Sequence, residues 1–233
     1  MQSIATAVIL AGGEGLRLRP LTSDRPKAMI MLAGKPILDW VIQWLVRNSI
    51  TRIIVGVAYK KEVVIDHISK HSLNDVEFKF SEHTVEGGTG EGFRLAIERH
   101  VRDDTFLAMN GDEITDIKVP EFADFHSRHG GLATIAVSPL RSPFGVVEIS
   151  GDTVTGFSEK PLLDKYVSTG VYVFDRKILE FLPVTGNIEN ETLPRLARAR
   201  QLKAYRHQGF WGTVNTLKDL REIEKELAAR TLS

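Results

Sequence analysis

The chain has 233 residues, 42% of them hydrophobic and 26% charged, the make-up of a globular protein with a real core, which excludes disordered and fibrous classes. Its thirty basic and thirty acidic residues cancel, which argues against nucleic acid or a membrane surface as partner while leaving room for a local basic pocket. With no cysteine, disulfides, thiol catalysis and cysteine-bound zinc are excluded.

The run Met1 to Leu10 is apolar, has no preceding Lys or Arg, and flows into Gly12-Gly13-Glu14-Gly15. It reads as a buried strand over 6–11 and a turn, not as an export signal. No stretch approaches the ~20 apolar residues of a membrane helix, so a cytoplasmic setting is expected. Pro36 opens a helix whose Ile37, Leu38, Val41, Ile42 and Leu45 share one face. Residues 52–59 are continuous and β-branched, as suits a strand covered on both faces. A helix at about 60–71, a strand at 76–81, a helix at about 90–101 and a strand at 104–109 follow. Later come extended segments at Leu132–Val137, Gly145–Ile149, Thr153–Phe157 and Tyr166–Phe174, with a hairpin turn at Gly151-Asp152. A last helix starts near 217, capped by Thr216 with Asp219, and turns Leu217, Leu220, Ile223 and Leu227 inward. No linker divides residues 1–233, so one domain with a layered α/β sheet is expected.

The segment from Leu10 to Thr22 follows the first strand and holds three glycines and two arginines. Glycines let backbone N–H groups approach an anion, and arginines pair with phosphate oxygens. The segment lacks the Gly-Lys-Ser/Thr of a Walker loop and has Leu18 where a dinucleotide fingerprint needs a small residue. Pro26-Lys27 adds a lysine that can be aimed at the same anion.

Gly-Gly-x-Gly-x-Arg-Leu-x-Pro-Leu-Thr followed by Pro-Lys resembles the signature of the sugar-1-phosphate nucleotidyltransferases. The resemblance implies a Rossmann-like three-layer α/β sandwich with a mixed, mainly parallel central sheet. It also implies transfer of a nucleoside monophosphate from a triphosphate to a sugar-1-phosphate, releasing pyrophosphate. In that family the glycine loop wraps the triphosphate, the arginine holds the departing pyrophosphate and the lysine reaches the α-phosphate. Those roles fall here on Leu10, Ala11, Gly12, Gly13 and Gly15, on Arg17 and on Lys27. Gly88-Thr89 is similar to the family's base-facing Gly-Thr, with Glu91 where a small residue is usual. Asp112 of Asn-Gly-Asp matches the metal-holding aspartate, Mg²⁺ being the implied ion.

Gly145 lies in an aromatic-Gly-Val match, Glu159 and Lys160 in a Phe-x-Glu-Lys-Pro match, and Thr169 and Gly170 in a further strand, all implied to face the sugar phosphate. The Trp-x-Asp-x-Gly-Thr stretch is matched from Trp211, but its aspartate is Thr213 here. Some cytidylyl-transferring relatives place the acid further along, and resemblance to them implies Asn215 as the second metal position. The matches continue to residue 217, which is the extent of a catalytic core without the C-terminal domain of longer relatives.

The base is not encoded in these motifs; the expectation leans to guanylyl transfer onto a mannose- or heptose-like phosphate. Two alternatives stay open: a non-catalytic sugar-nucleotide-binding homologue, and a cytidylyltransferase acting on a non-sugar alcohol phosphate. A homo-oligomer also stays open. His67/His71 and His126/His129 could clip a metal but read as solvated helix faces, and Trp40 and Trp44 as packing or partner-facing residues.

Overall fold

Strand β1, Thr6–Leu10, sends Ala7 and Ile9 to one face and Val8 to the other, the period-2 pattern of a strand covered on both sides. The computed structural model describes residues 4–71, 73 and 75–231; Met1–Ser3 of the N-terminal run lie outside the described residues, as do Ser72, Asn74, Leu232 and Ser233. The glycine loop leads through short 3-10 turns to a small hairpin of β2 (Met31–Leu32) and β3 (Lys35–Pro36). Helix α1, Ile37–Arg47, buries all five residues read as its inner stripe. Each contributes about 1.5–3 kcal/mol on burial, against tenths for differences in helix propensity, so packing holds α1 in place.

Strand β4 (Arg52–Val57), helix α2 (Lys61–Lys70), strand β5 (Glu77–Glu82), helix α3 (Gly88–His100) and strand β6 (Thr105–Asn110) follow, within two residues of the expected bounds. Then come β7 (Glu113–Thr115), α4 (Val119–His129), β8 (Ala133–Arg141), the hairpin β9 (Val146–Ser150) and β10 (Thr153–Ser158), and the long β11 (Leu162–Asp175). The chain continues through α5 (Thr192–Arg198), β12 (Leu202–Arg206), β13 (Trp211–Thr213) and α6 (Leu217–Thr231).

Seven strands form one sheet in the order β12-β8-β11-β6-β1-β4-β5. All neighbours are parallel except β11, which runs antiparallel to both β6 and β8. One face packs on α1, α2, α4 and α6, the other on α3 and α5. The three-layer, mixed and mainly parallel expectation is borne out. Among the described residues no helix is long and apolar enough to cross a membrane.

Two expectations need correction. Leu217, read as inward, is exposed; Leu220, Ile223 and Leu227 make the contact as expected. Thr216 and Asp219 do cap that helix reciprocally, at 2.8 and 3.2 Å. Of the histidines, His71 and His129 are exposed as expected, but His126 is buried against the Thr134 hydroxyl at 2.8 Å and His67 is half-buried on Asp39 at 2.7 Å.

Candidate active site

The first strand ends against a cleft of about 440 Å³. Leu10, Ala11, Gly12, Gly13, Gly15, Arg17 and Lys27 line it, together with Gly88, Thr89, Asp112 and Asn215. Gly12 is needed because a Cβ there would stand 2.7 Å from the Ala58 nitrogen. Gly15 is needed because its φ is +61° and a Cβ would press on Lys27 and Thr22 at 3.0 Å. The loop is held from outside: Lys27 N donates to Gly13 O at 2.9 Å, Tyr59 N to Gly12 O at 3.2 Å, and the Thr22 hydroxyl to Gly15 O at 3.0 Å. All three use carbonyls. Among the described residues, the N–H groups of Gly13 to Arg17 have no protein acceptor and Arg17 has no carboxylate partner. This is an anion cradle with its donors open.

The start of α3 differs from what its sequence suggests. Thr89 N donates to Asn187 Oδ1 at 3.1 Å and Gly90 N to Gly186 O at 2.8 Å, so residues 186–189 take up the first-turn donors. The Thr89 hydroxyl bridges Glu189 and Ile188 N. Gly88 has φ +65°, and a Cβ there would lie 2.4 Å from Asn187 Oδ1. Its glycine serves the close approach of that loop. Glu91, expected beside a base, instead accepts from the hydroxyl and N–H of Thr84 at 2.7 and 2.8 Å, bonds that hold its carboxyl below the usual range.

At the cleft floor three predicted residues converge. The Lys27 ammonium is bonded to Asp112 and, at 2.9 Å, to Asn215 Oδ1. The Thr213 hydroxyl points at Asp112 from 3.4 Å. A pair this sheltered adds little net stability, because desolvation offsets attraction. Below it lies Glu113, which sequence reasoning missed. Strand β13 pairs with β7 so that Thr213 faces Glu113, and Trp211 Nε1 donates to Glu113 Oε2 at 2.9 Å and to Thr169 O at 3.1 Å. Burial, and then the neighbouring Asp112, push the Glu113 carboxyl well above the usual range.

The residues expected at the sugar phosphate sit outside this cleft. Gly145, Glu159 and Lys160 belong to an exposed arm built on β9 and β10. A Cβ at Gly145 would meet the Phe157 ring at 2.5 Å and Glu159 Oε2 at 3.1 Å, so the glycine lets the three close together. Thr169 is fully buried, its hydroxyl donating to Ala136 O at 2.9 Å. Gly170, at φ +69°, packs its backbone on Asn110 and Glu113.

A family model described as nucleotidyl transferase matches residues 6–230. The chain belongs to the nucleotidyl transferase family. A probable glucose-1-phosphate cytidylyltransferase of Bacillus subtilis is 31% identical, the alignment covering 94% of each chain. A mannose-1-phosphate guanyltransferase of Candida albicans is 32% identical over 91% of this chain and 61% of its own length. This chain thus spans about three fifths of that guanyltransferase. The crystal structure of HddC from Yersinia pseudotuberculosis superposes with a TM-score of 0.77 at 23% identity, covering 96% of this chain and all of that one, a likeness of fold.

The family and the reaction class read from the motifs, nucleotidyl transfer to a sugar-1-phosphate, are borne out. Family members generally depend on a divalent metal. The cleft also uses residues the motifs did not indicate: Leu16, His83, Val85, Asn110 and Asn187. Only Asn110, directly before Gly-Asp at a strand's carboxyl end, carried a readable signal.

Proposed function

We propose that nucleotidyl transfer takes place in the 440 Å³ cleft, with Arg17, Lys27 and Asp112 as its charged centre. The observation that carries this reading is the meeting of Lys27, Asp112 and Asn215 beside a glycine loop whose donors are open. A phosphate oxygen of the sugar-1-phosphate attacks the α-phosphorus of the nucleoside triphosphate in line, and pyrophosphate leaves. The nucleophile is already an anion, so no general base is required. The obstacle is the meeting of two anions. The loop N–H groups and Arg17 hold the β- and γ-phosphates, and Lys27 turns from Asp112 to the α-phosphate as charge builds there. Positioning of this kind supplies about 7–11 kcal/mol in favourable cases.

Asp112 and Asn215 offer oxygen donors, with the Thr213 hydroxyl near, and a cation, the Lys27 ammonium, already bridges the first two. That donor set suits a hard ion such as Mg²⁺. When bound, Mg²⁺ would offset the charge of the phosphate oxygens. Asn215 and Thr213 carry no charge, so Asp112 carries the site's main electrostatic weight.

For substrates we infer guanylyl transfer onto a mannose- or heptose-like phosphate, in keeping with the mannose-1-phosphate guanyltransferases among the relatives. The arm residues Gly145, Glu159 and Lys160, with Gly170, receive the sugar phosphate, and residues 1–233 act as one unit in the cytoplasm. A second reading, cytidylyl transfer onto glucose-1-phosphate, is favoured by the cytidylyltransferase that this chain matches along 94% of both lengths. Pyrophosphate release, scanned over ATP, CTP, GTP, UTP and dTTP with sugar-1-phosphates and phosphocholine in the presence of Mg²⁺, tests both. GTP with a mannose-type phosphate is the expected pair, and CTP with glucose-1-phosphate assigns the second reading. Silence throughout would overturn both in favour of a binding module.

A further inference from the structure

A second cleft, of about 590 Å³, lies between α1 and β7 and shares no lining residue with the first. Trp40 and Trp44 from α1 line it together with Ile114, Ile117 and Phe210. Both indole N–H groups are engaged by main-chain oxygens, Leu32 O and Ile117 O at 2.9 Å, so the tryptophans offer the cleft only apolar ring surface.

Four cations line it, Lys35, Arg47, Lys118 and Arg230, against two carboxylates, Glu113 and Asp116. Neither carboxylate balances all four. Asp116 is held by His207 at 2.9 Å and Arg230 at 3.0 Å. Glu113 is buried, accepting from Trp211 Nε1 at 2.9 Å. Lys118 has Glu121 at 3.4 Å, outside the cleft lining.

Lys35 and Arg47 are left over. Lys35 is bonded to the neutral Gln43 amide and stands 3.7 Å over the Trp40 ring. Among the described residues neither it nor Arg47 has a carboxylate within ion-pair reach. Asp39, in the first turn of α1, acts on Lys35 from beyond ion-pair reach and is itself bonded to His67 at 2.7 Å. Burial and the repulsion of Arg47 hold Lys35 below the usual lysine value. Two like charges kept together at an apolar wall are relieved by an anion between them.

The volume is in the range of small-molecule sites. Ring surface next to a lysine and an arginine is the recognition chemistry of a flat ring carrying a phosphate. We propose that this cleft binds an organic anion of the nucleoside monophosphate class, its phosphate on Lys35 and Arg47 and its ring against Trp40 and Trp44. The site is separate from the reaction cleft and does not depend on the reaction assigned there.

The chain has three tryptophans, so a Trp211→Phe variant leaves only Trp40 and Trp44 to report. Titrating that variant with guanosine 5′-monophosphate (GMP) should give a saturable change in emission. Guanosine, which lacks the phosphate, should give a much weaker one. Adding Lys35→Ala and Arg47→Ala should weaken the GMP response at least tenfold. Calorimetric titration of the unaltered chain with GMP provides a check free of the Trp211 change: removal of Lys35 and Arg47 should abolish one binding site per chain, whether or not the reaction cleft also takes GMP. No saturable change, an equal response to guanosine, or a response unaffected by loss of the two cations overturns the proposal. So does emission that changes with protein concentration alone, which would give this face to a second copy of the chain. A silent transfer assay leaves the result intact, so the two readings fail separately.

Discussion

Gly12, Gly13 and Gly15 line the same cleft as Gly88 of the run at 87–92, and each run leads into a turn of helix. At the first, neighbouring segments grip the carbonyls and leave five consecutive N–H groups open. At the second, residues 186–189 reach the helix start and take the donors themselves. Glycine content and helix position are alike in the two, yet only one presents a positive cradle. What decides between them is which backbone group the neighbouring segment takes.

The strongest way to break this contrast is at the open cradle. Lys27→Ala should lower kcat by roughly 10²–10³-fold, as loss of one preorganised donor to a transition state does. Far-ultraviolet circular dichroism should stay unchanged, and a normal turnover rate would remove Lys27 from the mechanism. Gly12→Ala comes next. Its Cβ would stand 2.7 Å from the Ala58 nitrogen, an overpacking that costs about 1–3 kcal/mol. Both a lower Tm and a raised KM for the triphosphate are expected, because the crowded backbone is also the binding surface.

Asn187→Ala tests the other side. It removes the acceptor of Thr89 N, a loss of about 1 kcal/mol in thermal unfolding, with the triphosphate KM, since Asn187 also lines the cleft, rising less than for Gly12→Ala. A KM that rises as it does for Gly12→Ala would erase the distinction between the two segments.

The smallest effect is expected for Glu91→Gln, which weakens the bonds from Thr84. The folded carboxyl titrates below its ordinary 4.5, so the folded chain binds fewer protons there than the unfolded one. The contribution of Glu91 is therefore complete above that ordinary value and fades as the pH falls through the lowered one. Unfolding of wild type and variant should differ at pH 7 and converge on acidification; a constant gap would mean Glu91 acts through packing.

Much of the fold was legible because its signals are local. The stripe of α1, the β-branched run of β4, the Gly151-Asp152 hairpin and the Thr216–Asp219 cap each need only neighbouring residues. The glycine loop, Lys27 and Asp112 were legible for the same reason.

Where a partner lies far along the chain, the reading failed. Strands β7 and β13 have three residues each and exist because they pair across some hundred positions. The loop that closes over α3 comes from equally far. Glu113 looked like an ordinary strand residue until β13 placed Trp211 on it. Helix α4 did carry a signal in Val119, Phe122, Ala123 and His126 at helical spacing, with Pro120 at its start.

One strand has a consequence for how such a molecule diversifies. The pairing of β11 with β8 shifts between Ser168 and Tyr172. Beyond that shift its side chains lie in the sheet core, with Tyr172 and Phe174 fully buried. Before it, Leu162 and Tyr166 are open to solvent in the arm. Substitutions in the outer half meet little packing and are tolerated, while those in the inner half are purged for instability. Sequence can drift over generations along one end of a strand whose other end anchors the fold.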